Sequence, residues 1–379
     1  MDSDFRRSQF MSLTEHNLND SELELFFANQ SNIDDNSRVA ALIKQQSDRV
    51  NGWPRLIRNL DTYSRIQKDV VNVKGIDIVV TLNETRAPSI TAKTFESKQF
   101  NFQPCILCNL DTEQRGILTL NNRFLILANP GITIPGDLTI ASVNHDLQLI
   151  ANSFEDMVSL SKTLTDYSIF YNGAMAGASS PHFHFQAGLK NTLIAEQQID
   201  QLLNGSPVGN AELILLHENK TGRLFFLNNY LRAAYLVVSS DYQVINRLFR
   251  EFYLHLKQVD RFIKDIPNVP DFGARIISMN INETEPRMNL MLKYIQETAK
   301  YLLVIFPKVF NRPAAYFKTG TEQLIVGMAI KESLGNLITV READYEHLKT
   351  DPSLITKIYS DTSITPEMIE ELNKSLKMK

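Results

Sequence analysis

Apolar and polar residues follow two different periods along the chain, and these periods divide it into predicted elements. Apolar residues three and four positions apart indicate amphipathic helices within residues 1–60. From Val71 onward the period changes to two, which is typical of half-buried strands. The alternation reverses its phase at Lys74-Gly75. This reversal predicts a tight two-residue hairpin turn or a bulge, because glycine accepts the positive φ angle that either device needs.

Later segments alternate between strand-like and helix-like patterns. Short apolar runs predict strands at 124–128 and 138–142, and a helix is predicted at 155–164 with Met157, Leu160 and Leu164 on its inner face. A second αβ half begins after Gly188. Its predicted strands lie at 213–216, 223–227, 234–238 and 301–306, with an amphipathic helix at 244–259.

Composition limits the class of protein. The 379 residues, 43% of them hydrophobic and 22% charged, predict a soluble globular protein with one large or two medium domains. The formal net charge is −4 and lysine and arginine form no cluster, which argues against a nucleic-acid groove. The sequence has no run of 18 or more apolar residues, and its first residues are polar rather than a signal core. We therefore expect a cytoplasmic protein without a membrane partner.

His182, His184 and Gln186 are spaced two residues apart in a run that alternates with aromatic residues. In a strand, these three side chains share one face and the phenylalanines share the other. Small residues precede the run, and their backbone N–H groups can approach and cradle a phosphate. The alternative interpretation is a buried strand whose histidines have ordinary hydrogen-bond partners and which follows a flexible loop.

The segment from Asn172 to Gln186 resembles the active-site motif of the histidine-triad (HIT) superfamily. It is most similar to the branch with Gln in the last position, which contains galactose-1-phosphate uridylyltransferase, diadenosine tetraphosphate phosphorylase and the GDP-hexose phosphorylases. The resemblance implies that His184 is a nucleophile that forms a covalent nucleotidyl-histidine. In that branch, Gln goes with transfer to phosphate or a sugar phosphate rather than to water. It further implies that Asn172, Gly177 and Ser179 contact nucleotide or phosphate.

A polar turn after the second predicted strand carries several hydrogen-bond donors, namely Asn83, Arg86, Ser89 and Lys93. Such a turn can present donors to a polyphosphate, with arginine bonding to two oxygens at once. The segment resembles the equivalent one in an uncharacterised bacterial branch of the same transferase family. We expect these residues, with Arg312 in the second half, to contact nucleotide or phosphate. The alternative is an exposed turn with ordinary surface residues.

Cys105 and Cys108 are the two cysteines of the sequence, and in a reducing compartment their spacing indicates a metal or redox pair rather than a structural disulfide. In zinc-bearing members of the family the ligands come in the order Cys-x-x-Cys, a His, then the first His of the motif. The resemblance thus implies zinc on Cys105, Cys108, His145 and His182. Four protein ligands make a closed, structural site, because catalytic zinc keeps one position open.

The resemblance also implies the fold and the domain organisation. We expect an α+β protein with two HIT-like halves, each an antiparallel sheet with covering helices, preceded by an N-terminal helical arm. The expected boundaries are 1–60 for the arm, 61–200 for the catalytic half, 201–345 for a degenerate second half and 346–379 for a C-terminal helical tail.

These expectations combine into one functional hypothesis. We expect a nucleotidyltransferase or phosphorylase that acts on a nucleoside diphosphate (NDP) sugar or a dinucleoside polyphosphate, with phosphate or a sugar phosphate as acceptor. The alternatives are a HIT-type nucleotide hydrolase, a nucleotide-binding regulator without turnover, and a purely structural zinc protein. We expect a monomer or a homodimer.

Overall fold

The computed structural model describes residues 11–27, 33–90, 105–180, 182–260 and 285–377. Its strands are β1 (Gln67–Val73), β2 (Ile76–Leu82), β3 (Gly116–Thr119), β4 (Phe124–Ala128), β5 (Leu138–Ser142), β6 (Tyr167–Asn172), β7 (His184–Leu189), β8 (Glu212–Glu218), β9 (Gly222–Asn228), β10 (Ala234–Ser239), β11 (Met288–Ile295), β12 (Lys300–Pro307) and β13 (Asn336–Thr339). The strands and helices are those of an α+β fold, as expected.

The α-helices are α1 (Asp20–Leu23), α2 (Asp35–Gln46), α3 (Pro54–Tyr63), α4 (Ala87–Ile90), α5 (Phe154–Thr163), α6 (Ile194–Leu203), α7 (Tyr242–Asp260), α8 (Ile330–Ser333), α9 (Glu342–Thr350), α10 (Pro352–Thr362) and α11 (Pro366–Lys377). Short 3₁₀ helices lie at Leu13–His16, Glu24–Phe26, Glu84–Arg86, Ile150–Asn152, Gln296–Thr298, Ala314–Phe317 and Gly320–Glu322. Among the helices of the described ranges, none combines the length and apolarity needed to cross a bilayer.

Ten strands form one antiparallel sheet in the order β3-β4-β5-β7-β6-β11-β12-β10-β9-β8. The pairing of β6 with β11 joins five strands from before residue 190 to five from after residue 211. In this pairing Asn172 lies opposite Asn289, and Tyr171 lies opposite Leu290. The two groups of five strands therefore form one continuous sheet, because the inner edge strand of each group pairs with that of the other.

Both faces of the large sheet are buried, and each carries its own apolar core. Along β12, for example, Leu303 and Ile305 belong to one core, whereas Leu302 and Val304 belong to the other. Helices α5 and α7 cover the first face. The predicted inner face of α5 is confirmed, since Met157, Leu160 and Leu164 are all fully buried. The second face, which we call the polar-site face because His184 and Gln186 lie on it, is covered in part by a smaller sheet.

The smaller sheet has the order β1-β2-β13. Lys74 and Gly75 join β1 to β2 with φ angles of 55° and 83°. The predicted two-residue turn is thus confirmed, and these positive φ angles match the right-handed twist of the flanking strands. Strand β13 runs parallel to β2 and comes from more than 250 residues later in the chain, with Asn336 opposite Val79.

The helices before β1 pack onto the segment that follows the cysteine pair. Trp53 is buried with Leu56, Ala128 and Ile132, and its Nε1 donates a hydrogen bond of 3.0 Å to the Asp111 carboxylate. Pro54 begins α3 directly afterwards, where its missing N–H costs no helical hydrogen bond. This contact holds the region after Cys108 against the body of the protein.

Candidate active site and metal centre

His184 is the first residue of β7, which lies between β5 and β6 in the large sheet. Its neighbours Phe183 and Phe185 point into the first core, with ring centroids 5.0 Å apart in an edge-to-face contact. Because side chains alternate along an extended chain, His184 and Gln186 face the opposite side. The predicted division between the two faces is present in the structure.

The His184 ring has a defined tautomer. Its Nδ1 lies 2.8 Å from the carbonyl oxygen of His182, and a carbonyl oxygen can only accept. Nδ1 therefore carries the proton and donates it, which leaves the lone pair on Nε2. Burial lowers the pKa of His184 to about 4, and the hydrogen bond to His182 offsets only part of that effect. The ring is thus a neutral base with one available nitrogen at neutral pH.

Gln148 fixes the backbone around His184, and sequence reasoning missed it. Its Oε1 accepts from the His184 N–H at 2.8 Å, and its Nε2 donates to the carbonyl oxygens of His184 and Asn172, each at 3.0 Å. The side chain is fully buried. It spans the ends of β6 and β7, where the chain has left the regular ladder. The one sequence signal was a polar residue between two leucines.

Asn172 and Gln186 lie beside His184 on the polar-site face. The Asn172 Nδ2 donates to the Gln186 Oε1 at 3.3 Å, and the Asn172 Oδ1 accepts from the Ile330 N–H at 2.8 Å. Ile330 begins α8, which follows the second half of the large sheet in the chain. The structure thus brings together the three predicted polar residues of the motif and adds a contact from residues more than 150 positions later.

The loop between β6 and β7 is packed closely against the residue before α8. Gly177 has a φ angle of +108°, and a Cβ atom there would lie 3.0 Å from the Cβ of Ala329. Any other residue would be strained at this position, both by its backbone angle and by this contact. Ser179 is exposed, whereas Ser180 is buried and accepts from the His182 N–H at 3.3 Å. Ser180 thus contacts the backbone of His182, a predicted metal ligand.

Glu285 anchors the other end of this loop and was also missed. Its carboxylate accepts from the Tyr171 hydroxyl at 2.7 Å, from the Ile150 N–H at 2.9 Å and from the Ala174 N–H at 3.3 Å. These bonds connect β6, the loop and the region around Gln148. Proton donors on three separate segments converge on one buried carboxylate, which restricts the loop that precedes the histidines.

The four predicted metal ligands converge. Their ligand atoms all lie within 4.8 Å of one another. The Cys108 Sγ is 3.1 Å from the His145 Nδ1 and 3.3 Å from the His182 Nδ1, and the Cys105 Sγ is 3.6 Å from the same His182 nitrogen. Residues that are 77 positions apart at their extremes thus form one group that can hold a metal ion.

The donor set fits a tetrahedral ion. Typical zinc–sulfur and zinc–nitrogen bonds at the tetrahedral angle place sulfur and nitrogen about 3.6 Å apart, close to the distances found here. The His182 Nε2 lies 2.7 Å from the Ser142 carbonyl oxygen, so it donates and leaves Nδ1 free to coordinate. Burial raises the pKa of the Cys105 thiol, but hydrogen bonds with the His182 ring and the Cys108 amide outweigh this and lower it to about 7. A thiolate is the form that binds metal.

The predicted phosphate-binding turn lies next to the turn after β4. The Asn83 Nδ2 donates to the Ile132 carbonyl oxygen at 3.2 Å, and the Arg86 Nη1 donates to the Gly131 carbonyl oxygen at 3.2 Å. Arg86 also interacts with the Glu332 carboxyl: burial raises the pKa of Glu332, and the Arg86 charge lowers it by a smaller amount. Because Glu332 is in α8, this turn is linked to the helix that contacts Asn172.

Three other contacts were predicted, at Ser89, Lys93 and Arg312. The Ser89 side chain and Lys93 lie outside the described residues. Arg312 is buried beyond the end of β12, with its guanidinium 4.2 Å from the centre of the Tyr316 ring. The phosphate-contact roles of these residues and of the Asn83 turn stay predictions.

Comparisons with known proteins concern the family of part of the chain and its fold. Residues 42–189 match the model of a family described as "Domain of unknown function (DUF4922)", and this stretch contains the cysteine pair, His145 and the histidine motif. A search of curated proteins finds no match.

Solved structures show a similar fold over a larger part of the chain. A crystal structure of the yeast Ap4A phosphorylase Apa2 aligns with a TM-score of 0.51 and 15% identity over 82% of this chain and 97% of that one. A second structure, of the same yeast protein in complex with Ap4A, aligns with a TM-score of 0.50 and 14% identity over 82% and 96%. This chain therefore has a fold similar to that of a yeast Ap4A phosphorylase over nearly the whole length of that protein.

Proposed function

We propose that this chain is a nucleotidyltransferase or phosphorylase of the Gln-containing histidine-triad branch, acting through a covalent nucleotidyl-histidine. One observation carries the proposal: the His184 Nδ1 donates to the His182 carbonyl oxygen, which leaves Nε2 as a nucleophile on the face that also holds Gln186 and Asn172. A fold shared with the yeast phosphorylase supports the same proposal.

The chemistry divides into two displacements. The His184 Nε2 lone pair forms a bond to the α-phosphorus of the substrate, and the bond from that phosphorus to the bridging oxygen breaks with its electron pair leaving on the oxygen. An oxygen of the acceptor then attacks the same phosphorus, and the N–P electron pair returns to Nε2. Amide and backbone N–H donors beside His184 stabilise the charge on the phosphoryl oxygens in both steps.

The substrate is proposed to be a dinucleoside polyphosphate or an NDP-sugar, with phosphate or a sugar phosphate as acceptor. The yeast protein with the similar fold is an Ap4A phosphorylase and has been crystallised with Ap4A, which supports the first class. Gln186 supports a non-water acceptor, because glutamine has no ionisable group that could act as a general base toward water.

We propose zinc as the ion of the Cys105, Cys108, His145 and His182 group, since two thiolates and two imidazoles within 4.8 Å of one another form a donor set that zinc prefers. With four protein ligands, the ion supplies folding energy rather than an open coordination position. His182, a proposed ligand, lies two residues before His184, so a bound ion would fix the position of the residues that lead into β7.

We also propose that residues 61–200 and 201–345 are a degenerate repeat, flanked by the arm 1–60 and the tail 346–379. The strand order supports it: counted from the outer edge, the first half reads β3-β4-β5-β7-β6 and the second reads β8-β9-β10-β12-β11. Each half thus places its fifth strand before its fourth, and the two inner strands pair across the centre.

The decisive experiment traps the intermediate. Wild-type protein incubated with Ap4A or an NDP-sugar and no acceptor should gain the mass of one nucleotidyl group, that is a nucleoside monophosphate less one water, on an acid-labile, base-stable bond at His184. His184→Gly should form no adduct and lose turnover by several orders of magnitude. His16→Gly is the matched control, since His16 is also buried with its Nδ1 2.7 Å from a backbone carbonyl oxygen.

Other outcomes separate the alternatives. An adduct that water discharges as fast as phosphate indicates a hydrolase, and nucleotide binding without adduct or turnover indicates a regulator. Activity that persists in His184→Gly, with no adduct in the wild type, overturns the nucleophile assignment. Gln186→His is expected to shift the partitioning of the adduct from phosphate toward water.

A further inference from the structure

Three polar side chains in the second half are buried without the partners that their chemistry requires. Asn289 is 0% exposed, Lys308 is 3% exposed and Arg232 is 6% exposed. Within the described ranges, neither amide atom of Asn289 nor Nη1 of Arg232 has a hydrogen-bond partner. Among the residues that the structure describes, the Lys308 ammonium has one hydrogen-bond contact, a long one of 3.5 Å to the Ser333 hydroxyl.

These side chains lie on the polar-site face, at the same end of the sheet as His184. Asn172 pairs with Asn289 across β6 and β11, and Asn289 pairs with Phe306 across β11 and β12. Lys308 follows Phe306 by two residues. Neighbouring strands are about 4.8 Å apart, so Asn289 is roughly 10 Å and Lys308 roughly 14 Å across the sheet from His184. A row of polar residues therefore runs from the first half into the second.

Arg232 is the last residue of this row, at the end farthest from His184. It precedes β10, and its guanidinium lies 5.9 Å from the centre of the Phe306 ring. The rings of Tyr230 and Tyr359 lie 4.4 and 4.5 Å from it, and its Nε donates to the Ser333 carbonyl oxygen at 2.7 Å. These contacts hold the guanidinium in place before any ligand arrives, which lowers the entropy cost of binding.

Burying these polar groups destabilises the protein unless a ligand supplies the missing hydrogen-bond partners. A buried donor or acceptor without a partner costs about 1–3 kcal/mol, and charged groups cost more. The nearby Glu332 carboxyl is itself buried, which raises its pKa, and its Oε2 already accepts a hydrogen bond of 3.0 Å from the Ala329 N–H. Burial likewise lowers the pKa of Lys308 to about 7. An anion would satisfy the amide N–H groups and both cations together.

We infer that Asn289, Lys308 and Arg232 form an anion subsite for a phosphate group other than the one that His184 attacks. This inference rests on the proposed function for its connection to His184. The group belongs either to the distal part of a polyphosphate donor or to the phosphate acceptor, and both present the same tetrahedral oxyanion. Because its residues lie two or more strand spacings across the sheet from His184, the subsite contacts a part of the anionic chain other than the reacting phosphorus.

The test measures anion binding to the full-length chain by titration calorimetry, with inorganic phosphate and inorganic tripolyphosphate as probes. Lys308→Met and Asn289→Leu are each expected to weaken binding of at least one probe by about tenfold, the loss of one charge-assisted hydrogen bond. Without anion, both variants should melt at or above the wild-type temperature, since each replaces an unsatisfied buried polar group with an apolar one.

Lys293→Met is the matched control. Lys293 is buried on β11 and on the same face, but it already has the Asp200 carboxylate at 2.7 Å and the Asn191 side-chain oxygen at 3.0 Å. Its loss should lower the melting temperature and leave the anion affinity unchanged. If inorganic phosphate alone shows the Lys308 dependence, the subsite serves the acceptor; if only tripolyphosphate shows it, the subsite serves the donor.

Wild-type affinity for both probes in Lys308→Met and Asn289→Leu overturns the inference. This failure is distinct from that of the proposed function, which the nucleotidyl adduct reports. An adduct with no Lys308-dependent anion binding leaves the function standing without the subsite. Lys308-dependent binding that persists in His184→Gly, with no adduct in the wild type, leaves the subsite standing without the covalent mechanism.

Discussion

Gln148 occupies both backbone polar atoms of His184: its Oε1 accepts from the N–H at 2.8 Å and its Nε2 donates to the carbonyl oxygen at 3.0 Å. This double contact makes a side chain outside any motif the positioning residue for the proposed nucleophile. The same Nε2 holds the Asn172 carbonyl oxygen. One amide therefore sets the relative position of two proposed site residues on neighbouring strands.

Gln148→Leu should slow formation of the nucleotidyl adduct more than it weakens substrate binding. Misplacing a reacting group by about 1 Å costs roughly 100-fold in rate, whereas binding contacts elsewhere are unchanged. Stability should also fall, because three buried backbone groups lose a partner at about 1–3 kcal/mol each. Rapid-quench measurement of adduct formation at saturating substrate tests this.

Gln46→Leu is the control for that variant. Gln46 is also fully buried and bridges backbone groups, those of Glu113 and Arg115, far along the chain from the histidine motif. It should lose stability to urea and keep the wild-type adduct rate. Equal adduct rates in Gln148→Leu and wild type would contradict a positioning role.

Zinc should be present at about one equivalent per chain, and Cys108→Ser should release it and lower the melting temperature. A closed four-ligand site contributes its binding free energy to folding. Elemental analysis after washing with a chelator measures the metal, and His217→Gln, a histidine outside the group, should retain it. Less than about a tenth of an equivalent, with unchanged folding, would contradict the zinc proposal.

Arg86→Lys should raise the Michaelis constant for the nucleotide by roughly tenfold, since a lysine ammonium cannot reproduce a two-pronged contact worth about 1.5 kcal/mol. Steady-state kinetics with Ap4A measures this. Arg123→Lys is the comparison, because Arg123 is half exposed and pairs with Asp156 at 2.6 Å. If kcat and KM of Arg86→Lys match those of the wild type, Arg86 serves the turn at Gly131 and not the substrate.

Lys308 should make the free energy of unfolding depend on pH. Burial lowers its pKa to about 7, Glu332 raises it and Arg232 lowers it further by smaller amounts. Between about pH 7 and 10 the unfolded chain keeps a proton on this lysine that the folded chain has released, so this group makes stability rise with pH in that window. Below pH 7 both states hold the proton and its penalty is complete.

Lys308→Met removes this dependence. Its stability advantage over the wild type should be greatest below about pH 7 and should shrink as the pH rises toward 10. Urea unfolding at several pH values, without phosphate in the buffer, measures the difference. An advantage that grows with pH would mean that Lys308 is stabilised as a cation by the fold.

The sequence determined the local structure well. Strands β4 and β5 have the predicted bounds, the turn at Lys74-Gly75 is present, and the inner face of α5 is buried as expected. The reason is physical: a strand or helix that packs on a core must repeat its apolar residues every two or every 3.6 positions. Face assignment in the histidine motif follows from the same rule.

The four metal ligands were also predicted from the sequence, but from the resemblance to a family rather than from periodicity. The ligand order indicated Cys105, Cys108, His145 and His182, and the structure brings their donor atoms within 4.8 Å. No local pattern expresses a contact between residues so far apart in the chain. The pairing of β5 with β7 and the bridge between Leu147 and His182 place the segments of His145 and His182 side by side.

The tertiary structure alone decided what surrounds His184. The pairing of β6 with β11, the return of α8 to Asn172 and the burial of Gln148 and Asn289 all depend on distant segments meeting. A polar residue carries no sequence signal for whether its hydrogen-bond partner will be water, backbone or ligand, because that is set by which surfaces fold over it. The sequence therefore determined the proposed nucleophile, and the fold determined its support and the second half's contribution to the same face.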